Sequence, residues 1–459
     1  MSGKDYLEKY FTFEWYLNSW NSIREDALFR RILKNSSYLF TSGTISSGLG
    51  FLQSIIVGRA LGVSNYGLWA LIMTYVMFVN QLVDFRVWET VIKYVSEFRV
   101  KEDEARAFAM VKLAYWIDFL TGVLAFSVAV LFGPLAAKLL HQPSLPDYVF
   151  IIALSPLFAT INGTSTAILR VFDRFKWLSF EEVIRSIFSL GLISLIVILG
   201  YRLKGVVIAY VITSLFSTII LSSFSIRIIH SKLWYIRKEG RISLLRGRFK
   251  EIASFLFHTN ISAFWVMITR SFDVLILGHF RSTTEVGYFQ LAKNFVTVIT
   301  MIHDPLYYSI FPEISKMWAE GNVRKFIQFL KRLTFITASV FIPIALCMAF
   351  FSGIVIRFTY GREFVPAVTA LQIMVWGITL ASVFTWVRPT IVTIGKPHIS
   401  NLIGFIGTLV FLSGSFILVP LFGYIGSAIL YIVPRVLGHV IIIWFIFRFM
   451  KSSLNSQKT

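Results

Sequence analysis

The chain has 459 residues, of which 56% are hydrophobic and 15% are charged, and its mean hydropathy is +0.71. A soluble domain is typically about one-quarter charged, so this composition excludes nearly all water-soluble enzymes and predicts a polytopic membrane protein. The formal net charge of +20 would suggest nucleic-acid binding in a soluble chain. In a membrane protein, basic loops on one side account for such a charge without nucleic acid.

Residues 1–35 form a prefix in which aromatic residues alternate with charged ones. This pattern suits an amphipathic helix that lies among lipid headgroups, although a loosely packed tail has a similar composition. The single cysteine, Cys347, lies within an apolar run. One chain therefore offers neither a disulfide nor a cysteine-based metal site.

Apolar blocks of about twenty residues, the length that a transmembrane helix needs, recur about twelve times after the prefix. The predicted spans are Ser36–Val57, Leu68–Trp88, Val111–Phe132, Tyr148–Arg170, Leu178–Gly200, Gly205–Ile226, Ile252–Leu277, Val286–Phe311, Leu333–Ile356, Val365–Val387, Ile399–Val419 and Tyr424–Phe447. We expect short loops everywhere except at Glu89–Met110, Arg227–Glu251 and Pro312–Arg332.

Basic residues are divided unevenly between the two sides of this bundle. About 33 Lys and Arg fall in the prefix, the tail and the connections on one side, against 7 on the other. The positive-inside rule places the basic side in the cytoplasm. We therefore expect a multi-pass protein of the cell (plasma) membrane with both termini cytoplasmic.

The sequence matches itself at a shift of 220 residues, or 221 towards the end of each copy. The matched pairs include Gly58 and Gly278, Gly67 and Gly287, Leu71 and Leu291, Asp84 and Asp304, and Tyr210 and Tyr431. Because six spans form each copy, both copies enter the membrane from the same side. The repeat predicts an all-α fold of two six-helix lobes, related by a parallel pseudo-two-fold axis, V-shaped around a central cavity.

This division gives the domain organisation. We predict a cytoplasmic aromatic and basic prefix (1–35), an N-lobe (36–227), a basic cytoplasmic linker (228–251), a C-lobe (252–447) and a cytoplasmic tail (448–459). Rocking of the lobes would expose the cavity to alternate sides. A duplicated scaffold with an inert cavity is the alternative.

Three segments resemble the polysaccharide-type branch of the multidrug/oligosaccharidyl-lipid/polysaccharide exporter superfamily. Gly62–Leu68 resembles the first outer loop of that branch, commonly LGPxxYG, with Val63-Ser64 where proline is usual. Thr269–Lys293 resembles its seventh-span signature, in which Arg and Asp precede a glycine-bearing loop and Gly-Tyr. Ile310–Asn322 resembles the end of its eighth span. The resemblance covers residues 36–447.

The resemblance implies a flippase that moves a polyprenyl-(di)phosphate-linked oligosaccharide from the cytoplasmic to the outer leaflet by alternating access, for cell-surface polysaccharide or glycan assembly. Its implied partners are that glycolipid, membrane lipid, and glycosyltransferases or a polymerase of the same pathway. Such a substrate requires a wet cationic cavity with a lateral opening for the lipid tail. No cofactor is expected beyond coupling to H⁺ or Na⁺, and the sequence contains no G-x-x-x-x-G-K-[ST] motif.

Ionisable residues inside spans cost about 2.5–3.5 kcal/mol at the bilayer centre and normally face the protein interior. Arg270 and Asp273 share one face of predicted span seven. Arg270 is a candidate for diphosphate binding and Asp273 for orienting it or binding a coupling cation; alternatively, they neutralise each other. Lys293 has no obvious carboxylate nearby, and it either attracts the anionic substrate or snorkels to the interface.

Three further polar residues are candidates for substrate binding. Arg435 follows Pro434, where a kink would open span twelve. Arg185 lies within span five but has a structural alternative, an i,i+4 pair with Glu181. Asn260 could bind sugar hydroxyls or hold two helices together.

The repeat-related Asp84 and Asp304 lie near the cytoplasmic ends of their spans. As gating or coupling groups they would meet Arg86 or the basic residues around Lys316 when the cavity closes inward. Capping of helix ends is the simpler alternative.

Two other functions compete with a flippase. A cation-coupled multidrug or small-solute antiporter would need uncompensated carboxylates, whereas Arg270, Lys293 and Arg435 outnumber Asp273 and favour an anionic substrate. A polytopic membrane glycosyltransferase or polymerase would need catalytic carboxylates on an extended outer loop, and the predicted outer loops are short.

Overall fold

The computed structural model describes residues 27–236 and 238–456; at residues 27–33, 234, 258, 261–270, 304–305, 308, 312, 397 and 452–456 it describes the main chain alone. The described α-helices are α1 (Ala27–Val83), α2 (Val87–Val100), α3 (Glu104–Leu139), α4 (Leu145–Ile152), α5 (Leu154–Val171), α6 (Phe175–Ile198), α7 (Leu203–Lys232), α8 (Phe249–Phe280), α9 (Thr283–Ala319), α10 (Val323–Thr359), α11 (Ala367–Val383), α12 (Val387–Thr393) and α13 (Pro397–Ser456). Short 3-10 turns lie at Trp234–Ile236, Ile242–Arg248 and Arg362–Phe364, and no strand occurs in the described ranges.

Two glycines divide the longest helices. Gly62 (φ 70°) breaks α1 and Gly423 (φ 58°) breaks α13, and positive φ is readily available only to glycine. Spans 1 and 2 are therefore residues 27–61 and 63–100, the latter including α2, and spans 11 and 12 are 397–422 and 424–456. Spans 3 to 10 are α3, α4–α5, α6, α7, α8, α9, α10 and α11–α12.

The twelve-span prediction is confirmed. Seven helical stretches within the described residues are long and apolar enough to cross a membrane, and two of them, Lys34–Val100 and His398–Lys451, each contain two spans. Large apolar side chains point outward along these helices: Phe350 is 86% exposed and Leu131 74%. Such exposure is stable only against lipid.

Two of the three predicted long loops are wrong. The segment Glu89–Met110 is helical except for a short turn at 101–103, because α2 buries one face against the N-lobe and carries its charges on the other. In Pro312–Arg332, α9 continues to Ala319 and α10 begins at Val323. Hydropathy missed both segments because amphipathic helix ends are not apolar overall.

The lobes are joined at one end of the bundle and separate towards the other. We call the end that carries the linker between spans 6 and 7 the basic end and the opposite end the far end. One hydrophobic cluster, which includes Leu71 and Leu291, contains buried residues of both lobes around the far end. At the basic end the core divides into a cluster around Phe98, which also takes in the start of span 7, and a C-lobe cluster around Phe326. The chain is thus V-shaped.

Repeat-related glycines allow the lobes to meet. A Cβ on Gly67 would lie 1.8 Å from the Thr283 carbonyl oxygen, and a Cβ on Gly287 would lie 2.4 Å from that of Val63. Gly67 and Gly287 are 220 residues apart, as are Val63 and Thr283, so the repeat relates the two contacts to each other. The main chains of spans 2 and 8 therefore cross in direct contact at the far end, and we call this contact the glycine crossing.

The repeat also extends to burial. The alternation of buried, intermediate and exposed residues over 71–80 recurs position by position over 291–300. An aromatic pair is duplicated too: Trp69 and Tyr210 in the N-lobe (5.8 Å between centroids) correspond to Phe289 and Tyr431 in the C-lobe (6.4 Å). The parallel two-lobe repeat is confirmed in both packing and topology.

A charged contact links the lobes at the basic end. Arg248 donates to Glu97 (2.7 and 3.2 Å) and to Glu251 (2.8 and 2.8 Å), and the Tyr94 hydroxyl donates to Glu251 (3.1 Å). Hydrogen bonds from Arg248 hold the pKa of Glu251 below its ordinary value of 4.5. We call these four residues the basic-end latch.

We expect Gly67→Ala to open the glycine crossing, since its methyl group would overlap main chain and overpacking costs about 1–3 kcal/mol. The measurement is disulfide formation between Ser64→Cys and Thr283→Cys in a Cys347→Ser background, because the two native hydroxyls are 2.8 Å apart. The cross-linking yield should fall several-fold. Gly48→Ala, where a Cβ meets nothing within 4 Å, should leave the yield unchanged; an equal fall there would contradict the interpretation.

We expect Arg248→Gln to lower the thermal unfolding midpoint at pH 7 and to lose this effect in acid. The lowered pKa of Glu251 means that the latch stabilises the fold above the ordinary glutamate pKa and ceases to do so as pH falls through the lowered value. The difference from the unmodified protein should therefore shrink below about pH 4. The exposed neighbour Arg246 provides the control Arg246→Gln, and a pH-independent difference would contradict the latch.

Candidate functional site

Asp273 and Lys293 form a buried ion pair between spans 7 and 8. The Lys293 Nζ lies 2.8 Å from the Asp273 Oδ2, and Asp273 is only 2% exposed. The Val274 N–H donates to the Asp273 Oδ1 (2.7 Å). The expectation that Lys293 has no nearby carboxylate is wrong, because the turn between the two helices brings residues twenty positions apart together.

A second cation lies beside this pair. The Arg435 guanidinium is 4.0 Å from the centroid of the Tyr431 ring and donates to the Tyr431 carbonyl oxygen, and Lys293 is 5.9 Å from the same centroid. Spans 8 and 12 thus place two predicted substrate-binding cations against one aromatic ring, an arrangement that stabilises both. With Asp273 the only carboxylate paired to them, the described site carries an excess positive charge.

Hydrogen bonds between the lobes close the far end beside Lys293. The neighbouring Asn294 donates to the Tyr66 hydroxyl (2.6 Å), across the lobe boundary. The Tyr360 hydroxyl lies 2.5 Å from that of Ser54, also across the boundary. Tyr66 lies in the segment Gly62–Leu68 that carries the family resemblance. The prediction that this segment is a loop is wrong, because it is helical beyond the break at Gly62, and it forms part of the seal over the site.

Two predicted site residues have side chains outside the described part of the chain. Arg270 and Asp304 lie on the helical main chain of spans 7 and 8, and their roles stay predictions. Asn260 is half-buried on span 7. The suggested pair of Arg270 with Asp273 lies outside the described side chains and stays a prediction, while Asp273 does pair with Lys293.

In the N-lobe, Arg185 forms the expected i,i+4 ion pair with Glu181, at 3.4 Å. Glu181 also accepts a hydrogen bond from Ser217 on span 6 (2.6 Å). The Arg185 side chain is 39% exposed. Its carboxylate partner therefore holds this arginine beside spans 5 and 6.

Asp84 has a different partner from the one expected. Its Oδ1 accepts the backbone N–H of Arg86 (2.9 Å), while the Arg86 guanidinium binds Glu89 (2.6 Å). The expected ion pair of Asp84 with Arg86 is therefore replaced by a main-chain cap in this conformation. The reason is the break between α1 and α2, where Arg86 adopts φ 48° and its side chain turns towards α2.

One buried acid was missed by sequence reasoning. Asp118 lies within span 3 and is 3% exposed. Its Oδ2 accepts the backbone N–H of Thr164 on span 4 (3.1 Å). The signal was available, since Asp118 is the only carboxylate of the predicted span Val111–Phe132.

The amino-acid sequence is similar to known protein families and to individual relatives. A family model described as polysaccharide biosynthesis protein matches residues 32–318, and a second, described as MatE, matches residues 259–417. The chain is 23% identical over 407 residues to a Haloferax volcanii protein named "Probable low-salt glycan biosynthesis flippase Agl15", covering 87% of this chain and 80% of the relative.

Two solved structures have the same fold. An inward-facing multidrug resistance MATE family transporter of the MOP superfamily superimposes with a TM-score of 0.73 at 14% identity, covering 89% of this chain and 96% of the transporter. The lipid II flippase MurJ, in an inward closed conformation, gives 0.70 at 18% identity, covering 91% and 90%. These matches agree with two V-shaped lobes.

We expect Asp273→Ala to destabilise the protein by about 3 kcal/mol, the low end of the range for breaking a buried ion pair, because it leaves Lys293 as an uncompensated, largely buried charge. Adding Lys293→Met should recover most of that loss, since no charge is then unpaired. The measurement is the free energy of unfolding in detergent for both single variants and the double variant. Purely additive losses would show that the two side chains do not interact.

Proposed function

Because the chain belongs to the polysaccharide biosynthesis protein family, we propose that it translocates a polyprenyl-(di)phosphate-linked oligosaccharide from the cytoplasmic to the outer leaflet. The observation that carries the proposal is the paired placement of Lys293 and Arg435 on Tyr431, with Asp273 neutralising only one of them. An excess positive charge within a membrane is costly and is stabilised by an anionic ligand.

The surroundings of the cations suit a glycolipid headgroup. Arginine binds phosphate oxygens in a planar fork and lysine binds them as a point charge, so the pair would hold a diphosphate between spans 8 and 12. The partly exposed ring of Tyr431 lies beside both cations, and the fully buried Phe289 packs beside Lys293. The lipid tail would stay in the bilayer while the glycan occupies the space between the lobes.

The separation of the lobes at the basic end supports entry from that side. The positive-inside rule assigns the basic end to the cytoplasm of a plasma membrane, with both termini there. In the described conformation the glycine crossing and the contact of Tyr66 with Asn294 seal the far end. Outward release would require these contacts to break while the lobes, which the basic-end latch already links, come together at the basic end.

The energy source is proposed to be electrical or ionic. Outward movement of an anion from a negative interior is favoured by about 2.3 kcal/mol per charge per 100 mV, and exchange against H⁺ or Na⁺ would add to this. Glycosyltransferases or a polymerase acting on the same glycolipid would supply or consume it at the two membrane faces.

A cation antiporter is the second candidate, favoured by the match of residues 259–417 to the MatE model. An organic cation would require a free carboxylate at the site. Asp273 is instead paired with Lys293 at 2.8 Å, so the described C-lobe site attracts anions. Accumulation of an organic cation dye by the same proteoliposomes distinguishes the two functions.

We expect the sign of the charge at position 293 to determine transport. Both variants are made in an Asp273→Asn background, so that a glutamate at position 293 does not face a second carboxylate. The assay follows flipping of a fluorescent polyprenyl-diphosphate oligosaccharide in liposomes. Lys293→Glu should reduce the flipping rate at least about tenfold more than Lys293→Gln does. Leaflet accessibility of the label is the measurement.

The exposed Lys204 provides the matched control, since Lys204→Glu and Lys204→Gln should both transport normally. Equal flipping by the two position-293 variants would contradict a cationic substrate site. Normal flipping by both, together with uptake of the cation dye, would favour the antiporter.

A further inference from the structure

Two histidines from opposite lobes lie side by side at the far end. His141 follows the end of span 3 in the N-lobe, and His279 lies in the last turn of span 7 in the C-lobe. Their ring centroids are 5.7 Å apart, with 34° between the ring planes. His141 is exposed and His279 is half-buried, and neither belongs to the site proposed for the glycolipid.

One hydrogen bond determines which nitrogen of His279 carries the hydrogen. The His279 Nδ1 lies 2.6 Å from the carbonyl oxygen of Leu139, the last residue of the span 3 helix. Because a carbonyl oxygen only accepts, Nδ1 donates, and the Nε2 of the neutral ring keeps its lone pair. Histidines that bind metals have this arrangement, in which one nitrogen donates to a carbonyl or carboxylate and the other binds the ion.

His141 occupies a position at which glycine is the usual residue. It lies just beyond the end of the span 3 helix with φ 54°, in the left-handed region. Helices commonly end on a left-handed glycine, because other side chains are strained in that conformation. At the 220-residue shift the counterpart of His141 is indeed a glycine with positive φ, Gly361 (φ 112°). The helix end therefore does not require a histidine.

The repeat also provides a counterpart for the hydrogen bond of His279. At the same shift His279 corresponds to Arg59, whose Nη2 donates to the Phe358 carbonyl oxygen (2.9 Å) near the end of span 9. Each lobe thus donates one side-chain hydrogen bond to a helix end of the other lobe. Arginine fills this role and has no lone pair for a metal, so the contact between the lobes accounts for neither histidine.

The spacing of the two rings suits a pair of ligands on one metal ion. With a Zn–N bond of about 2.1 Å, each ring centroid would lie about 3.2 Å from the ion. Two such centroids are about 5.2 Å apart at a tetrahedral angle, and about 4.5 or 6.4 Å apart at adjacent or opposite corners of a square-planar site. The observed 5.7 Å is nearest to the tetrahedral value.

We propose that His141 and His279 bind one Zn²⁺ across the lobe boundary. Imidazole nitrogen is a ligand that zinc favours, in tetrahedral geometry. Within the described residues no third histidine, cysteine or carboxylate joins the pair, so water completes the four ligands. An open site of this kind exchanges its metal with the solution, unlike a closed structural zinc site.

Bound zinc would add a connection between the lobes at the end that must open for outward release. The positive-inside rule places the far end outside the cell, so Zn²⁺ from the external solution would hold that end closed. Metal binding itself stands on the two histidines, and only this effect on transport rests on the proposed function.

The test measures Zn²⁺ binding to the purified full-length protein without a polyhistidine tag. A Cys347→Ser background removes the only thiol of the chain. Calorimetric titration with ZnCl₂ should show one site per chain. The thermal unfolding midpoint should rise in a saturable manner, because a ligand that binds only the folded state stabilises it. MgCl₂ at equal ionic strength should do neither, since Mg²⁺ selects oxygen ligands.

Two variants replace each histidine with the residue at its repeat-related position. His141→Gly should fold normally, because glycine readily adopts positive φ, and His279→Arg keeps a donor for the Leu139 carbonyl. Each should weaken the Zn²⁺ affinity at least about tenfold. His398→Gln, which removes an exposed histidine at the start of span 11, is the matched control and should bind Zn²⁺ as the unmodified protein does.

Three results would overturn the proposed site. These are equal responses to Zn²⁺ and Mg²⁺, an unchanged Zn²⁺ affinity in His141→Gly or His279→Arg, and a tenfold loss of affinity in His398→Gln, which would show that the metal binds elsewhere.

The effect on transport has its own measurement. In liposomes, external Zn²⁺ should slow glycolipid flipping by the unmodified protein but not by His141→Gly. Flipping at the same rate with the metal bound would contradict the closure of the far end by zinc. Absence of flipping without zinc, in a protein that binds Zn²⁺ normally, would count against the proposed function and leave the metal site in place.

Discussion

Direct main-chain contact between spans 2 and 8 is the constraint on which the architecture depends. Gly67 and Gly287 lie where any side chain would overlap a carbonyl oxygen of the other lobe, so the lobes can approach there more closely than elsewhere. Without a hydrophobic force between helices in lipid, such close packing of small residues is a principal source of association. Because this contact holds the lobes together at the far end, they share one hydrophobic core there. At the basic end the lobes separate, and the core divides into two clusters.

The two lobes share the aromatic pair at the site, but only the C-lobe carries the two cations. The aromatic pair around Tyr431 has an N-lobe counterpart in Trp69 and Tyr210. The cations do not: the positions that correspond to Lys293 and Arg435 are Met73 and Ser214. The C-lobe therefore presents two positive charges at positions where the N-lobe has a methionine and a serine. Since burying charge is costly, this difference between otherwise matching lobes is the strongest structural indication of where an anion would bind.

The sequence was sufficient for the spans, the repeat and the lobes, because each depends on local hydropathy or on residues matched at a fixed shift. It was insufficient where a contact depends on a turn or on the face of a helix. Lys293 and Asp273 are twenty residues apart, and only the geometry between spans 7 and 8 makes them partners. The amphipathic α2 was read as a loop for the same reason. Asp118 was visible as an intramembrane acid, but its hydrogen bond from the Thr164 N–H requires the packing of span 3 against span 4.

The two lobes differ in the charged residues that they carry at corresponding positions. The C-lobe site has an excess of positive charge, whereas the N-lobe buries Asp118, and the position that corresponds to Asp118 in the C-lobe is Ala338. Asp304, the counterpart of Asp84, is followed by a continuous helix, while Asp84 precedes a break. Opposite charges within one lobe would neutralise each other, as Asp273 and Lys293 do. The excess positive charge of the C-lobe and the buried Asp118 of the N-lobe lie in different lobes, so they do not neutralise each other.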